Sequence, residues 1–224
     1  MIPWTTLARA PIPGSHEELC LSRRGNEFSI QISGYVSELM NSRVHGSEEA
    51  LADLACALIC NRRAPRVLIG GLGMGFTLAA ALRALGPTAE VVVAELVPEV
   101  VEWNRGPLGE CAGHPLRDSR TQVHVGDVGQ LLRTRENAFD AVLLDVDNGP
   151  EGMTHQENDW LYSAAGLAAA AKVLRPRGVL AIWSATPDAK FTARLRQAGF
   201  RVEVRTARAR PGKGAHHTIW LAQL

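Results

Sequence analysis

A glycine-rich stretch and a few acidic residues carry the chemistry that this sequence can do. Arg66-Val67-Leu68-Ile69-Gly70-Gly71-Leu72-Gly73-Met74-Gly75-Phe76 runs from an apolar segment into the pattern Gly71-x-Gly73-x-Gly75. Glycines at alternate positions let the backbone turn sharply and let a ligand approach the main chain. A helix beginning there adds unpaired N–H groups and a positive dipole end. Glu95 closes the next apolar run about 20 residues after Gly75, the spacing at which an acidic side chain accepts both hydroxyl hydrogens of a ribose. A dinucleotide fingerprint needs its third glycine one residue later, where Phe76 stands. The loop therefore reads as a site for a nucleoside joined to methionine rather than for a dinucleotide, with Gly71, Gly73, Gly75, Glu95 and Leu96 against the ligand.

Two further strand ends carry carboxylates. Gly126-Asp127-Val128 follows the third apolar run; Asp127 can accept from an exocyclic adenine amine, with Val128 beside it, and it also suits the cap of the following helix. Phe139 to Leu144 is apolar apart from Asp140 and ends in Asp145-Val146-Asp147-Asn148-Gly149-Pro150. Turn chemistry accounts for Asn148-Gly149-Pro150, but not for Asp145. Facing a sulfonium, Asp145 would orient or deprotonate a nucleophile or offset positive charge. Asp147, directed differently, is expected to bind the acceptor. Trp160 and Tyr162 fit either an acceptor pocket or the core. Arg208, Arg210 and Lys213 form a basic loop before His216-His217, read as solvated or as a pocket for an anion. Two histidines without a third ligand make no metal site, and none is expected.

These residues need a scaffold that brings strand ends together. Strands are expected at 66–70, 90–95, 121–125, 139–146, 178–184, 200–206 and 216–223, and helices at 76–85, 98–104, 127–134, 158–174 and 187–198. Alternation of this kind implies βαβ units and a mostly parallel sheet. The last two strands are joined by a stretch with no room for a helix and should form an antiparallel hairpin. The fold class is α/β: a Rossmann-like, class I methyltransferase fold whose seven-stranded sheet ends in that hairpin. Before it, 1–18 reads as an irregular arm, 18–24 and 27–33 as a small β-hairpin, and 34–46 as less regular. Ser47 reads as the cap of a helix running to Cys60. The expected division is 1–46, the arm and hairpin element, and 47–224, the S-adenosylmethionine-binding domain.

Composition narrows the partners. With 224 residues, 46% of them apolar, the chain can fill one sizeable core, and its formal net charge of +1 gives no global field for nucleic acid. No run is long enough to span a membrane, and Met1-Ile2-Pro3-Trp4 opens no signal peptide. Cys20, Cys56, Cys60 and Cys111 form no CxxC pair, as expected of a reduced, cytoplasmic protein.

Together, VLIGGLGMG, VVVAELVPEVVEWNRG, VGDV, FDAVLLDVDNGP and LRPRGVLAIWSA resemble the spermidine synthase-like family from about Glu18 to Leu224. The resemblance implies Glu95 as ribose ligand, Asp127 as adenine ligand, Asp145 as active-site acid/base, and a homodimer. In aminopropyltransferases of that family an Asp in the glycine loop pairs with the donor's aminopropyl ammonium and repels the carboxylate of ordinary S-adenosylmethionine. Here Met74 stands at that place, Leu72 and Phe76 replace two glycines, and Asn148 replaces the second acid of Asp-x-x-Asp. The expectation is therefore a transferase moving methyl from S-adenosylmethionine to a small-molecule acceptor. The alternatives are an aminopropyltransferase using decarboxylated S-adenosylmethionine, an inactive nucleoside-binding module, and an RNA methyltransferase using the basic loop; membrane and nucleic-acid partners are not expected.

Overall fold

The computed structural model describes residues 2–35, 38–146, 159–210 and 213–224. Among them are eleven strands and seven α-helices in two sheets. The first sheet is an antiparallel meander of β1 (Thr5–Pro11), β2 (Glu18–Arg24), β3 (Glu27–Ile32) and β4 (Glu38–Asn41). Then come α1 (Gly46–Ala57), β5 (Arg66–Gly70), α2 (Phe76–Ala84), β6 (Glu90–Glu95), α3 (Pro98–Arg105), β7 (Thr121–Val125), α4 (Val128–Thr134) and β8 (Phe139–Leu144). The chain closes with α5 (Asp159–Tyr162), α6 (Ala164–Val173), β9 (Leu174–Ser184), α7 (Ala189–Gln197), β10 (Arg201–Arg210) and β11 (Lys213–Gln223). The second sheet has seven strands in the order β10-β11-β9-β8-β5-β6-β7. Pairings among β5 to β9 are parallel, while β11 runs antiparallel to both β9 and β10. This is the expected α/β fold with its terminal hairpin.

The strand order reverses between β5 and β8, so their carboxyl ends open a crevice, where ligands of such sheets bind. β8 is buried along its whole length, as a central parallel strand covered on both faces should be. Its one charge, Asp140, is 1% exposed; it accepts from the Arg66 N–H at 2.8 Å and pairs with Arg175 at 2.9 Å and Arg62 at 3.6 Å. These bonds tie the entering ends of β5, β8 and β9 together, at the end of the sheet away from the crevice. A buried carboxylate held in this way has a structural account.

The amino-terminal part departs from expectation. The hairpin is present, but β1 forms within the stretch read as an arm, β4 forms within 34–46, and the two flank the hairpin. The apolar side of this sheet turns toward the crevice and joins the core through Ile12, Leu19, Ile30 and Ile32. α1 starts at Gly46 after His45, not at Ser47, because the Ser47 hydroxyl is hydrogen-bonded to His217 Nδ1 at 2.7 Å instead of capping. The helix expected at 158–174 is broken at Ser163, whose hydroxyl accepts from the Gly166 N–H and caps α6. Among the described residues no helix is long and apolar enough to cross a membrane.

Candidate functional site

Backbone hydrogen bonds hold the strand ends around the crevice. Gly71 N–H donates to Ala94 O at 2.8 Å, Gly126 N–H to Glu95 O at 2.8 Å, and Asp145 N–H to Gly70 O at 2.9 Å. Gly71 has φ +89°, and a Cβ there would run into the Asp145 carbonyl oxygen, so the exit of β8 passes directly over the glycine loop. Asn104 of α3 braces the loop from beneath: its Nδ2 donates to Gly73 O at 2.8 Å and to Val100 O at 2.9 Å. Gly75 takes φ +84° to start α2.

Seven of the nine residues singled out in sequence line one cavity of about 140 Å³: Gly71, Gly73, Glu95, Leu96, Asp127, Val128 and Asp145. Leu19, Ile30 and Ile32 of the first sheet and Ile12, just after β1, roof it, with Leu39 and Met40 of β4 beside them. Gly75 is turned away, toward Asn104 and Pro115. Asp147, expected at the acceptor, lies outside the described residues, as do Asn148 and its neighbours.

The carboxylates differ in environment. Glu95 is 8% exposed, and burial raises its pKa; N–H groups of Val97 at 2.9 Å and Leu72 at 3.0 Å work in the opposite direction. Leu72 donates to one of its oxygens and Val97 to the other, with the Gly73 and Leu96 N–H groups also acting on it. Asp127 is the cap of α4, accepting from the Gly129 N–H at 2.7 Å, and its second oxygen meets Arg133 at 3.3 Å. Burial pushes Asp145 up to about 6, opposed by the Thr77 hydroxyl, which donates to Asp145 Oδ2 at 2.5 Å.

A second cavity of about 270 Å³ shares Leu39, Met40, Gly73, Asp145 and Val146 with the first. Its other walls are Glu38, Asn41, Val44, Ser47, Glu48, Leu72, Phe76, Thr77, Trp183, Ala185 and His217. Three carboxylates therefore face it, Glu38, Glu48 and Asp145, and among the described residues no lysine or arginine lines it. Burial, and after it the charge of Asp145, drives the Glu48 pKa well above the ordinary range. Burial lowers the pKa of His217, whose ring stands edge-on to Trp183. Phe76, which stands where a dinucleotide fingerprint needs a glycine, stacks on His45 at 4.1 Å between ring centres.

Sequence reasoning missed Glu38, Glu48, Trp183 and the apolar roof, because each reaches the site from a distant part of the chain, and Thr77, which follows the glycine loop but meets Asp145 only in the fold. Glu48 lies in the first turn of α1, where the helix dipole by itself favours an acid. Trp160 and Tyr162 line neither cavity. Trp160 lies under the Arg133 guanidinium at 3.8 Å, and Tyr162 is buried edge-on to Phe191. Of the basic loop, Arg208 and Arg210 belong to β10, and neither lines the crevice.

Comparison with known proteins adds an independent line. Residues 45–192 match the model of the spermine/spermidine synthase domain. The chain is 28% identical over 123 residues to a polyamine aminopropyltransferase of Prochlorococcus marinus (strain MIT 9301), covering 54% of this chain and 41% of that one. It is 25% identical over 197 residues to a polyamine aminopropyltransferase of Mycobacterium tuberculosis (strain H37Rv), covering 84% of this chain and 36% of that one. The chain thus spans well under two thirds of the length of these curated relatives. The crystal structure of spermidine synthase from Thermotoga maritima superposes with a TM-score of 0.73 at 16% identity, over 97% of this chain and 72% of that one, which is a likeness of fold.

These relatives overturn the expectation of a methyltransferase, for they carry the name of aminopropyltransferases. The structure supplies the physical reason. Met74, the residue on which methyl transfer rested, is 2% exposed, packs in the core and lines neither cavity. Its lack of charge therefore decides nothing about the ligand.

Proposed function

The chain belongs to the spermine/spermidine synthase domain family, and from that premise we propose that it moves the aminopropyl group of decarboxylated S-adenosylmethionine onto a small amine. The observation that carries this reading is the second cavity, which presents three carboxylates and, among the described residues, no lysine or arginine, and which meets the first cavity at Asp145. A surface of that sign selects a cationic amine.

In this proposal the nucleoside occupies the first cavity. Glu95 takes the ribose hydroxyls, and Asp127 takes the adenine amine with the oxygen that does not cap α4. Leu96 and Val128 pack against the base, and Gly71 and Gly73 let the sulfonium side of the donor pass the main chain. The amine enters the second cavity. Its nitrogen attacks the aminopropyl carbon bonded to sulfur, the C–S bond breaks, and its electron pair stays on sulfur, which becomes a neutral thioether. Asp145, at the junction, takes the proton that the nitrogen gives up. His217, neutral and beside Ser47, forms the opposite wall. Asp147 remains a proposed acceptor ligand.

The test is to incubate the purified chain with decarboxylated S-adenosylmethionine and a series of diamines and polyamines, and to follow methylthioadenosine together with the aminopropylated amine. Both products should appear in equal amounts. Nucleoside release without an aminopropylated product, or neither product with any amine, would reject the reading.

We also propose a homodimer, supported by the resemblance and by the free edge of β1, beside which Ile2, Trp4 and Leu7 are exposed. An exposed edge of this kind is normally covered. Light scattering at micromolar concentration should give twice the 24.2 kDa of one chain, and a value of 24.2 kDa would count against it.

A further inference from the structure

The two cavities meet along Gly73, Asp145 and Val146, so a donor whose nucleoside fills the first must direct its sulfur toward that border. The aminopropyl tail then runs past Gly73 along the start of α2, where Leu72, Phe76 and Thr77 form the wall. Facing that wall from α1 is Glu48. Its backbone carbonyl lies 3.4 Å from Thr77 Oγ1, whose single proton goes to Asp145 at 2.5 Å, so Thr77 of α2 sits between α1 and the exit of β8. Neighbouring Glu49 already has His45 at 3.5 Å, whereas among the described residues no cation pairs with Glu48. The glycine loop offers no charge here, since Met74 points into the core.

Resting on the aminopropyl reading above, we propose that Glu48 is the donor-specificity residue of this chain: its carboxylate receives the ammonium of the aminopropyl tail and excludes the carboxylate of ordinary S-adenosylmethionine. An ammonium between Glu48 and Asp145 favours the ionised form of two neighbouring acids that burial holds toward the neutral form, and among the described residues no lysine or arginine lines the cavity to do so. A donor carboxylate would instead bring a negative charge beside both acids in a partly enclosed space with no lysine or arginine among the described lining residues. Attraction to one donor and repulsion of the other act together, which is how strong discrimination is built. The positions of Leu72 and Phe76 are consistent with this, because an apolar wall carries the three methylenes and leaves only the tail's end to be read by charge.

Wild type and Glu48→Gln should be titrated calorimetrically with decarboxylated S-adenosylmethionine, S-adenosylmethionine and methylthioadenosine, which lacks both the amino and the carboxyl group. Wild type should prefer the decarboxylated donor, and in Glu48→Gln that preference should shrink by about tenfold or more, the effect of losing one charged partner. Methylthioadenosine should bind both proteins alike, which also reports that the variant is folded. Glu48→Asp should retain part of the preference. An unchanged preference in Glu48→Gln, or an equal loss of affinity for all three ligands, would overturn the proposal. The two readings fail separately. If wild type makes aminopropylated amine yet Glu48→Gln keeps the full preference, only the role of Glu48 is wrong. If wild type prefers S-adenosylmethionine and makes no such product, the aminopropyl reading has failed and the role of Glu48 with it.

Discussion

Asp145 is under two opposing influences. Its burial at the end of β8 favours the neutral acid, and the Thr77 hydroxyl at 2.5 Å favours the carboxylate; the balance lies at about 6. A group that accepts a proton from an amine must be ionised first, so kcat/KM should rise with pH through about 6 and level off above it. Because Glu48 is close enough to interact, the acid limb belongs to the pair and not to one residue. The amine itself loses its proton near ~10, so any further rise on the alkaline side should move when the amine is exchanged, while the acid limb should stay. Asp145→Asn should remove the acid limb and lower turnover by ~10²-fold or more. A flat profile between pH 5 and 8 in wild type, or a variant that keeps its turnover, would exclude Asp145 as the proton acceptor. The same shift affects stability with the opposite sign. The folded value lies above the ordinary 3.8, so the stability contributed by this group is present below 3.8 and is lost as pH rises through about 6.

Elements with strong local patterns could be found from sequence, and those whose pattern is tertiary could not. β5, β6 and β8 are short apolar runs that lead into or end in a glycine or an acid, and five of the nine chosen residues follow from those ends and two more from the end of β7, because a parallel sheet gathers its carboxyl ends on one side. β1 escaped notice because it is an edge strand: from Thr5 to Pro11 one residue is buried, so no alternation marks it, and Pro11 discourages a strand. β4 has four residues, too few to show a period. β9 begins at Leu174 rather than near 178, because Pro176 and Gly178 read as a turn although Phe139 pairs with Leu174 across an irregular register. Ser163 looked like one more helix residue, and only the break between α5 and α6 shows it as a cap. Glu48 is the instructive case. An acid in the first turn of a helix is already explained by the helix dipole, so nothing in the sequence distinguishes it from Glu49. Only the packing of α1 across α2 and the exit of β8 turns one of the two toward a cavity. Met74 is the converse, a position whose meaning was taken from a motif and whose side chain faces the other way.

At the scale of the whole molecule, the first sheet roofs one cavity and α1 with β11 walls the other, and Asp145 lies where they join. This arrangement bears on the order of events. Donor and acceptor occupy separate chambers with a shared boundary, so both can be bound at once and the group can pass directly from sulfur to nitrogen. A relay through the protein would need a nucleophile at that boundary. Among the described residues the shared lining is Leu39, Met40, Gly73, Asp145 and Val146, and within it Asp145 holds the carboxylate that could act as one. An ester of Asp145 with the aminopropyl group is therefore the competing route, and it would leave a covalent intermediate and ping-pong kinetics. Direct transfer requires a ternary complex instead. Initial rates measured against one substrate at several fixed levels of the other should give intersecting reciprocal lines, and no methylthioadenosine should be released when the amine is absent. Parallel lines, together with a burst of methylthioadenosine equal to the enzyme concentration before any amine is added, would show that the two chambers are used in turn and that Asp145 carries the group itself.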